Sequence, residues 1–209
     1  MAVPYPWAKS FLDKGLAAAL LVVASPVFAF LWAAMAVSML VRPGDRGPWL
    51  YRELRVSRGR EFELLKFRTL RRHVIDGMGD ERHARLLEKE ANLTWAGRRL
   101  LKPWYLDELP QLFNILRGDM SLVGPRPWPP GMVREQVAAG SDYRLHVVAG
   151  WTGPAQLNKG VVSRVGDEQF DLAYAEACRT WSAARLVRYD LGILGRTARV
   201  LARGEGLDN

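Results

Sequence analysis

The strongest pattern in the chain lies near its start. From Gly15 to Val41 no side chain is charged, a run of 27 residues. As one helix it would reach roughly 40 Å at 1.5 Å per residue, and about 20 apolar residues suffice to cross a bilayer. The apolar core of a secretory leader is shorter, about 7–15 residues, and ends at small residues. This run continues past Ala24 and Ser25. In its middle stands Ser25-Pro26. A proline there removes one helical hydrogen bond, at about 3 kcal/mol, and leaves the carbonyl of Val22 without its partner. The Ser25 hydroxyl can bond back to a carbonyl one turn earlier. Both flanks are basic: Lys9 and Lys14 precede the run, and Arg42, Arg46, Arg52, Arg55, Arg58 and Arg60 follow it. Tyr5 and Trp7 precede it, and Trp49 and Tyr51 follow. Cations mark the cytoplasmic side of a membrane segment and aromatics its boundary. With both ends marked alike, the pattern predicts two half-length helices that dip into the bilayer and return, broken at Ser25-Pro26. A kinked spanning helix is the competing reading.

After residue 41 the period shortens. "WLYRELRV" and "EFELLKFRTL" flank the turn-like "SRGR", which predicts a β-hairpin. Alternate strand residues share a face, so Phe62, Leu64, Lys66 and Arg68 line up with both cations at one end. That pair suits a diphosphate, and equally a solvated surface. Residues 76–95 read as a polar connection and exposed helix. Near residues 106–116 the period becomes helical, with Leu109, Leu112, Phe113 and Leu116 as an apolar stripe and Asp107, Gln111 and Asn114 on another face. Pro110 is tolerated only in a first turn. The predicted helix therefore begins near Asp107, with Asp107-Glu108 at its positive end, and stops at Gly118. In a last helix Arg185, Arg188, Arg196, Arg199 and Arg203 share one arc, while Val187, Leu191, Leu194, Ala198 and Leu201 cover the other side. This is the pattern of a helix lying on an anionic bilayer, or of a solvated surface helix.

Charge changes the picture of partners. Lys and Arg number 30 against 22 Asp and Glu, a formal net charge of +8. Such an excess points to an anionic partner: phospholipid head groups, phosphorylated substrates or nucleic acid. The apolar run argues against nucleic acid. The single cysteine, Cys178, excludes an internal disulfide framework and reads as a small buried hydrophobe. His73, His83 and His146 have no metal-ligand spacing. Adjacent carboxylates at a helix start have a plain explanation in the helix dipole. Set among Lys66, Arg68, Arg117 and Arg126, they also fit metal-assisted phosphoryl transfer.

The stretches "KFRTL" (66–70), "LDELPQLFNILRGDMSLVGPRP" (106–127), "AGWTGPAQLN" (149–158) and "FDLAYA…WS" (170–182) resemble the bacterial sugar transferase family. These are monotopic phosphoglycosyl transferases that start glycan assembly on polyprenyl phosphate. The resemblance runs over essentially the whole chain, Ser-Pro helix included, and is to the minimal catalytic form. It implies a mainly α fold with a small β-hairpin. Residues 1–41 would form the re-entrant membrane helix, and residues 42–209 a cytoplasmic catalytic domain with an interfacial C-terminal helix.

The resemblance also implies roles. Asp107 would attack the sugar-proximal phosphorus of a UDP-sugar, forming an aspartyl phosphosugar and releasing UMP. Glu108 would hold Mg²⁺, and Lys66, Arg68 and Arg126 would contact phosphate. Polyprenyl (undecaprenyl) phosphate would then take the phosphosugar, in a phosphotransferase reaction at the bacterial inner membrane with the active site facing the cytoplasm. Anionic phospholipid is an expected partner, downstream glycosyltransferases are possible partners, and nucleic acid is not expected. A non-catalytic membrane scaffold of the same fold is the alternative. The chain departs from the family pattern at "KPWYLDE", where a Ser or Thr commonly precedes the acidic pair. It departs also at Ala149-Gly150 for Pro-Gly, and at Lys159-Gly160 for Gly-Arg.

Overall fold

A computed structural model describes residues 3–77, 87–158 and 164–203. Lys159-Gly160 and most of the polar connection (78–86) lie outside the described residues. The described part is mostly helical, with one β-hairpin and one short parallel strand pair. The chain divides into two compact units: Met1–Ala17, Arg55–Phe62 and Ile115–Asn209 form one, and Ala18–Leu54 and Glu63–Asn114 the other.

Helix α1 (Trp7–Val41) is a single element of 35 residues with Pro26 inside it. Two separate half-helices were the expectation, and they are not formed. The reason is local: the Ser25 hydroxyl donates to the Val22 carbonyl at 2.8 Å, the very acceptor that Pro26 leaves unpaired. Among the described residues α1 is the one helix long and apolar enough to cross a membrane, and only 11% of its most apolar stretch is buried. A core helix of a water-soluble protein would bury most of that stretch. Leu31 and Met35 do pack, with Phe67, Ala96 and Leu101, flanked by Phe28, Met39, Trp95 and Leu106. Val22, Val23, Phe30, Trp32 and Leu40 stay exposed.

The hairpin forms as expected from β1 (Leu50–Ser57) and β2 (Arg60–Phe67). Its two-residue turn, Arg58-Gly59, has positive φ at both positions, 51° and 73°, the twist that suits a tight hairpin. Its strands carry residues of both units. After β2 come the short helix α2 (Arg72–Asp76) and a π-helical turn at Gly97–Leu101. Helix α3 (Gln111–Arg117) begins later than expected. Asp107-Glu108 stands before it in a separate 3₁₀ turn, Leu106–Glu108, so the pair is not the first turn of the helix. The predicted stripe is also corrected. Phe113 is exposed, whereas Ile115, Gln111 and Asn114 are buried, because the polar face makes the tertiary hydrogen bonds described below.

In the unit that begins at Met1, β3 (Ser121–Val123) pairs in parallel with β4 (Gly150–Thr152), Ser121 beside Gly150 and Val123 beside Thr152. Around them lie α4 (Pro130–Ala138), α5 (Pro154–Leu157), α6 (Arg164–Thr180) and α7 (Ala183–Ala202). Lys9, read from sequence as a flanking charge, is buried instead. Its Nζ lies 2.6 Å from Asp190 Oδ2 and donates to the Val123 carbonyl. Asp13, also buried, accepts from the Tyr5 and Ser121 hydroxyls. Charge-assisted bonds of this kind tie the entry of α1 to β3 and α7. Cys178 is buried and free, and burial pushes its thiol up to about 11. Helix α7 buries Leu186, Asp190 and Ile193. Of the apolar side read from sequence, Leu191 and Leu201 are exposed and Val187 and Leu194 half-buried. The arginine arc and part of the apolar stripe thus both face outward.

Candidate active site

Asp107 and Glu108 sit in the unit of Ala18–Leu54 and Glu63–Asn114, and what surrounds them there is a set of paired charges. Tyr105, just before their turn, has φ 53°, a left-handed conformation uncommon outside glycine. It reverses the backbone between the π-helical turn and Leu106. Lys102 directly follows that turn, and its Nζ lies 3.2 Å from Asp107 Oδ2 and 2.6 Å from Glu88 Oε1. Lys66, on β2, has its Nζ 3.8 Å from Glu108 Oε1 and 3.9 Å from Glu53 Oε2. Each carboxylate of the pair therefore faces its own lysine, and each lysine is held by a second acid.

Asn114 explains why β2 comes close. Its side-chain oxygen accepts from the Leu65 amide at 3.0 Å, and its amide group donates to the Glu63 carbonyl at 2.7 Å. These two bonds fasten α3 to the strand just before Lys66. Asn114 is fully buried, so the bonds exchange no water and carry their full consequence if lost.

Asp107 is 3% exposed. Burial pushes its carboxyl up to about 6; Lys102 pulls it down, Glu108 pushes it up, and Lys66 pulls it down. Lys102 is drawn down by burial, but Asp107 and Glu88 outweigh this and raise it. Asp107 is therefore a desolvated carboxylate, ionised above about pH 6, beside a firmly protonated lysine. Desolvation makes such an oxygen a better nucleophile than one in water.

Residues 4–204 match the family model described as bacterial sugar transferase. The chain belongs to the bacterial sugar transferase family. Similar proteins include an undecaprenyl-phosphate galactose phosphotransferase of Salmonella typhimurium, 33% identical over 200 residues, covering 90% of this chain and 39% of that protein. A UDP-N-acetylgalactosamine-undecaprenyl-phosphate N-acetylgalactosaminephosphotransferase of Aeromonas hydrophila is 30% identical, with coverage of 94% and 45%. A UDP-glucose:undecaprenyl-phosphate glucose-1-phosphate transferase of Caulobacter vibrioides is 36% identical, with coverage of 90% and 67%. The chain thus spans less than half the length of the first two of these sugar transferases.

Of the residues singled out from sequence, the structure brings Lys66, Asp107 and Glu108 together. Arg68 is elsewhere employed. It is 1% exposed, and its guanidinium donates to the carbonyls of Pro48, Leu70 and Asp45. It lies one residue beyond β2, so strand alternation does not place it beside Lys66. Its place is that of a buried organiser of the loop at 45–48, not of a phosphate contact. Arg126 belongs to the other unit, where its carbonyl accepts from Arg144. Arg117 pairs with Asp119 at 2.8 Å. Lys102, Glu88 and Glu53 were not singled out from sequence. Lys102 is visible in "KPWYLDE", but only the fold shows that its side chain returns to Asp107.

The donor set is compatible with Mg²⁺. Among the described residues no three acidic, His or Cys side chains cluster. Mg²⁺ is, however, commonly held by one or two carboxylates, with substrate phosphates and water completing six oxygens. Glu108 beside Asp107 meets that requirement.

Proposed function

We propose that this chain transfers a sugar 1-phosphate from a UDP-sugar to undecaprenyl phosphate, releasing UMP, through a covalent intermediate on Asp107. The observation that carries the reading is the buried Asp107 beside Glu108 with a lysine on each carboxylate. The relatives' names supply the substrate classes.

In the first step an Asp107 oxygen attacks the sugar-proximal phosphorus. The new O–P bond forms as the bond to the bridging oxygen breaks, and UMP leaves with that oxygen. In the second step a phosphate oxygen of the lipid attacks the same phosphorus and the Asp107 bond breaks, restoring the carboxylate. Lys66 and Lys102 face the place where charge accumulates on the transferring group, and fixed cations there stabilise the transition state. Mg²⁺ on Glu108 would neutralise diphosphate charge.

The lipid acceptor cannot leave the bilayer and the sugar nucleotide cannot enter it, so the site must work at the interface. The exposed apolar surface of α1 supports membrane insertion, and the exposed Leu191 and Leu201 with the arginine arc support α7 lying at the surface. We place the chain in the inner membrane, with α1 re-entrant by a bend at Ser25-Pro26 within the one helix, and with the site facing the cytoplasm. The glycan made by downstream glycosyltransferases depends on the donor sugar.

The test is UMP release by the detergent-solubilised chain with undecaprenyl phosphate, Mg²⁺ and a panel of UDP-sugars. One or more donors should give UMP and lipid diphosphosugar. No product from any donor, with folded protein, overturns the reading.

A further inference from the structure

Lysine is a poor residue for holding a charge in one place. Its ammonium ends a flexible four-carbon stem, and the Lys102 side chain is 30% exposed, open enough to swing into water. Yet its Nζ stands 3.2 Å from Asp107 Oδ2. A second carboxylate shares it. Glu88 Oε1 lies 2.6 Å from the same Nζ, the shorter of the two contacts. All three residues belong to one compact unit, Ala18–Leu54 with Glu63–Asn114.

Both ends of the contact between Glu88 and Lys102 are built on held backbone. The Leu87 carbonyl, just before Glu88, accepts from the Lys89 amide at 2.8 Å and from the Asn92 side-chain amide at 2.9 Å. The Asn92 carbonyl accepts from the Arg71 amide at 2.8 Å, which ties this segment to the chain leaving β2. At the other end the Lys102 amide donates to the Gly97 carbonyl at 3.0 Å, closing the π-helical turn. A Cβ on Gly97 would stand 2.5 Å from the Thr69 carbonyl oxygen, so glycine lets the turn press against that same chain. Glu88 and Lys102 thus both stand on backbone anchored to residues 69–71.

Charge alone does not account for Glu88. Beside a nucleophile that attacks a diphosphate, a further negative charge works against the reaction: it offsets part of the field of Lys102 and repels the donor. A partly exposed ion pair also adds little stability. What a second carboxylate supplies is position. An ammonium has three N–H donors. With Glu88 and Asp107 each taking one, the cation is held at two points and one donor remains.

We infer that Glu88 is a positioning residue for the reaction: it fixes the Lys102 ammonium at Asp107, with the third N–H available to the transferring phosphoryl group. The inference rests on the transferase reading above. Once Asp107 carries the phosphosugar its negative charge is gone, and Glu88 is then what keeps the cation in place for the second step. A catalytic group displaced by about 1 Å can cost a reaction about a hundredfold, so the anchoring of Lys102 matters as much as its charge.

The experiment measures UMP release by the full chain with undecaprenyl phosphate, Mg²⁺ and a donor that the wild type uses, with folding followed by thermal melting. Glu88→Ala should lower kcat by about tenfold. The Kd of the UDP-sugar should stay the same or fall, since a negative charge has been taken from beside a diphosphate. Glu88→Asp keeps the charge but is one methylene short, and should lose about threefold. In a Lys102→Met background Glu88→Ala should cost less than about twofold, because no ammonium is left to hold. Where Lys102→Met is itself too slow to follow, Glu88→Asp decides. A rate at or above that of the wild type in either Glu88 variant overturns the inference. So do equal losses with and without Lys102, and failure of both Glu88 variants to fold, since Glu88 would then be supporting the unit and not the cation. Each of these leaves the transferase reading intact. A wild-type protein that releases no UMP from any donor overturns both.

Discussion

Replacing Lys102 by Met isolates the electrostatic part of the site. The Lys102 ammonium is 3.2 Å from Asp107, whose carboxyl is pushed up to about 6 by burial despite that cation. An opposite charge at this range lowers a carboxyl pKa by about 1–3. Its removal should therefore carry Asp107 from about 6 towards about 8. A nucleophilic carboxylate reacts only when ionised, so its rate rises with pH through its pKa. At pH 7.5 the ionised fraction would fall from about 97% to about 24%, a roughly fourfold loss from protonation alone. Loss of the fixed cation at the transferring phosphate adds a pH-independent drop of about tenfold to a hundredfold. The assay is the first turnover of UMP release without lipid, from pH 5 to 9, at one Mg²⁺ concentration. The expected profile has its midpoint near 6 in the wild type and near 8 in the variant, with a lower plateau. A variant whose midpoint stays near 6, whatever its plateau, would refute the claim that Lys102 keeps the buried Asp107 charged.

Arg68→Met should destabilise the fold by about 2–4 kcal/mol, because three carbonyls, those of Asp45 and Leu70 on buried residues, lose their donor; a melting temperature within a few degrees of wild type would assign those carbonyls another partner. The Cys178 thiol, raised to about 11, should be only about 0.1% thiolate at pH 8 and should react with iodoacetamide far more slowly than a free cysteine until the protein is unfolded. Single cysteines at the exposed positions Lys14 and Gly44 should both be shielded in intact cells from a reagent that cannot cross the inner membrane; labelling of the first alone would make α1 a spanning helix.

What the sequence made legible follows from how local the signal was. The hairpin was readable because Arg58-Gly59 and the alternation around it are nearest-neighbour effects. The link between Ser25 and the Val22 carbonyl was readable for the same reason. The continuity of α1 through Pro26 was not, since it depends on how far one hydroxyl repairs the helix. The paired strands β3 and β4 are three residues each, too short to show alternation. Asp107 and Glu108 stood out as an acidic pair within a long family-like block. Lys102, Glu88 and Glu53 did not, because salt bridges across turns and strands leave no periodic trace. Arg68 misled: strand alternation extended one residue too far, and a cation in a basic region looks the same whether it awaits phosphate or binds carbonyls. Lys9 misled likewise, since its buried partner Asp190 lies 181 positions away.

The covalent step is the centre of the account, and mass spectrometry of the digested protein tests it most directly. The purified chain is incubated with a reactive UDP-sugar and Mg²⁺, with no lipid acceptor, then digested and its peptides weighed. A ping-pong reaction needs no acceptor for its first half. One equivalent of UMP should appear, and the peptide containing Asp107 should gain the mass of the sugar phosphate, which undecaprenyl phosphate then removes. Asp107→Asn should show neither the mass nor the burst while retaining UDP-sugar binding. UMP that appears only after lipid is added, with an unmodified Asp107 peptide throughout, would contradict the account and make the transfer a single direct displacement.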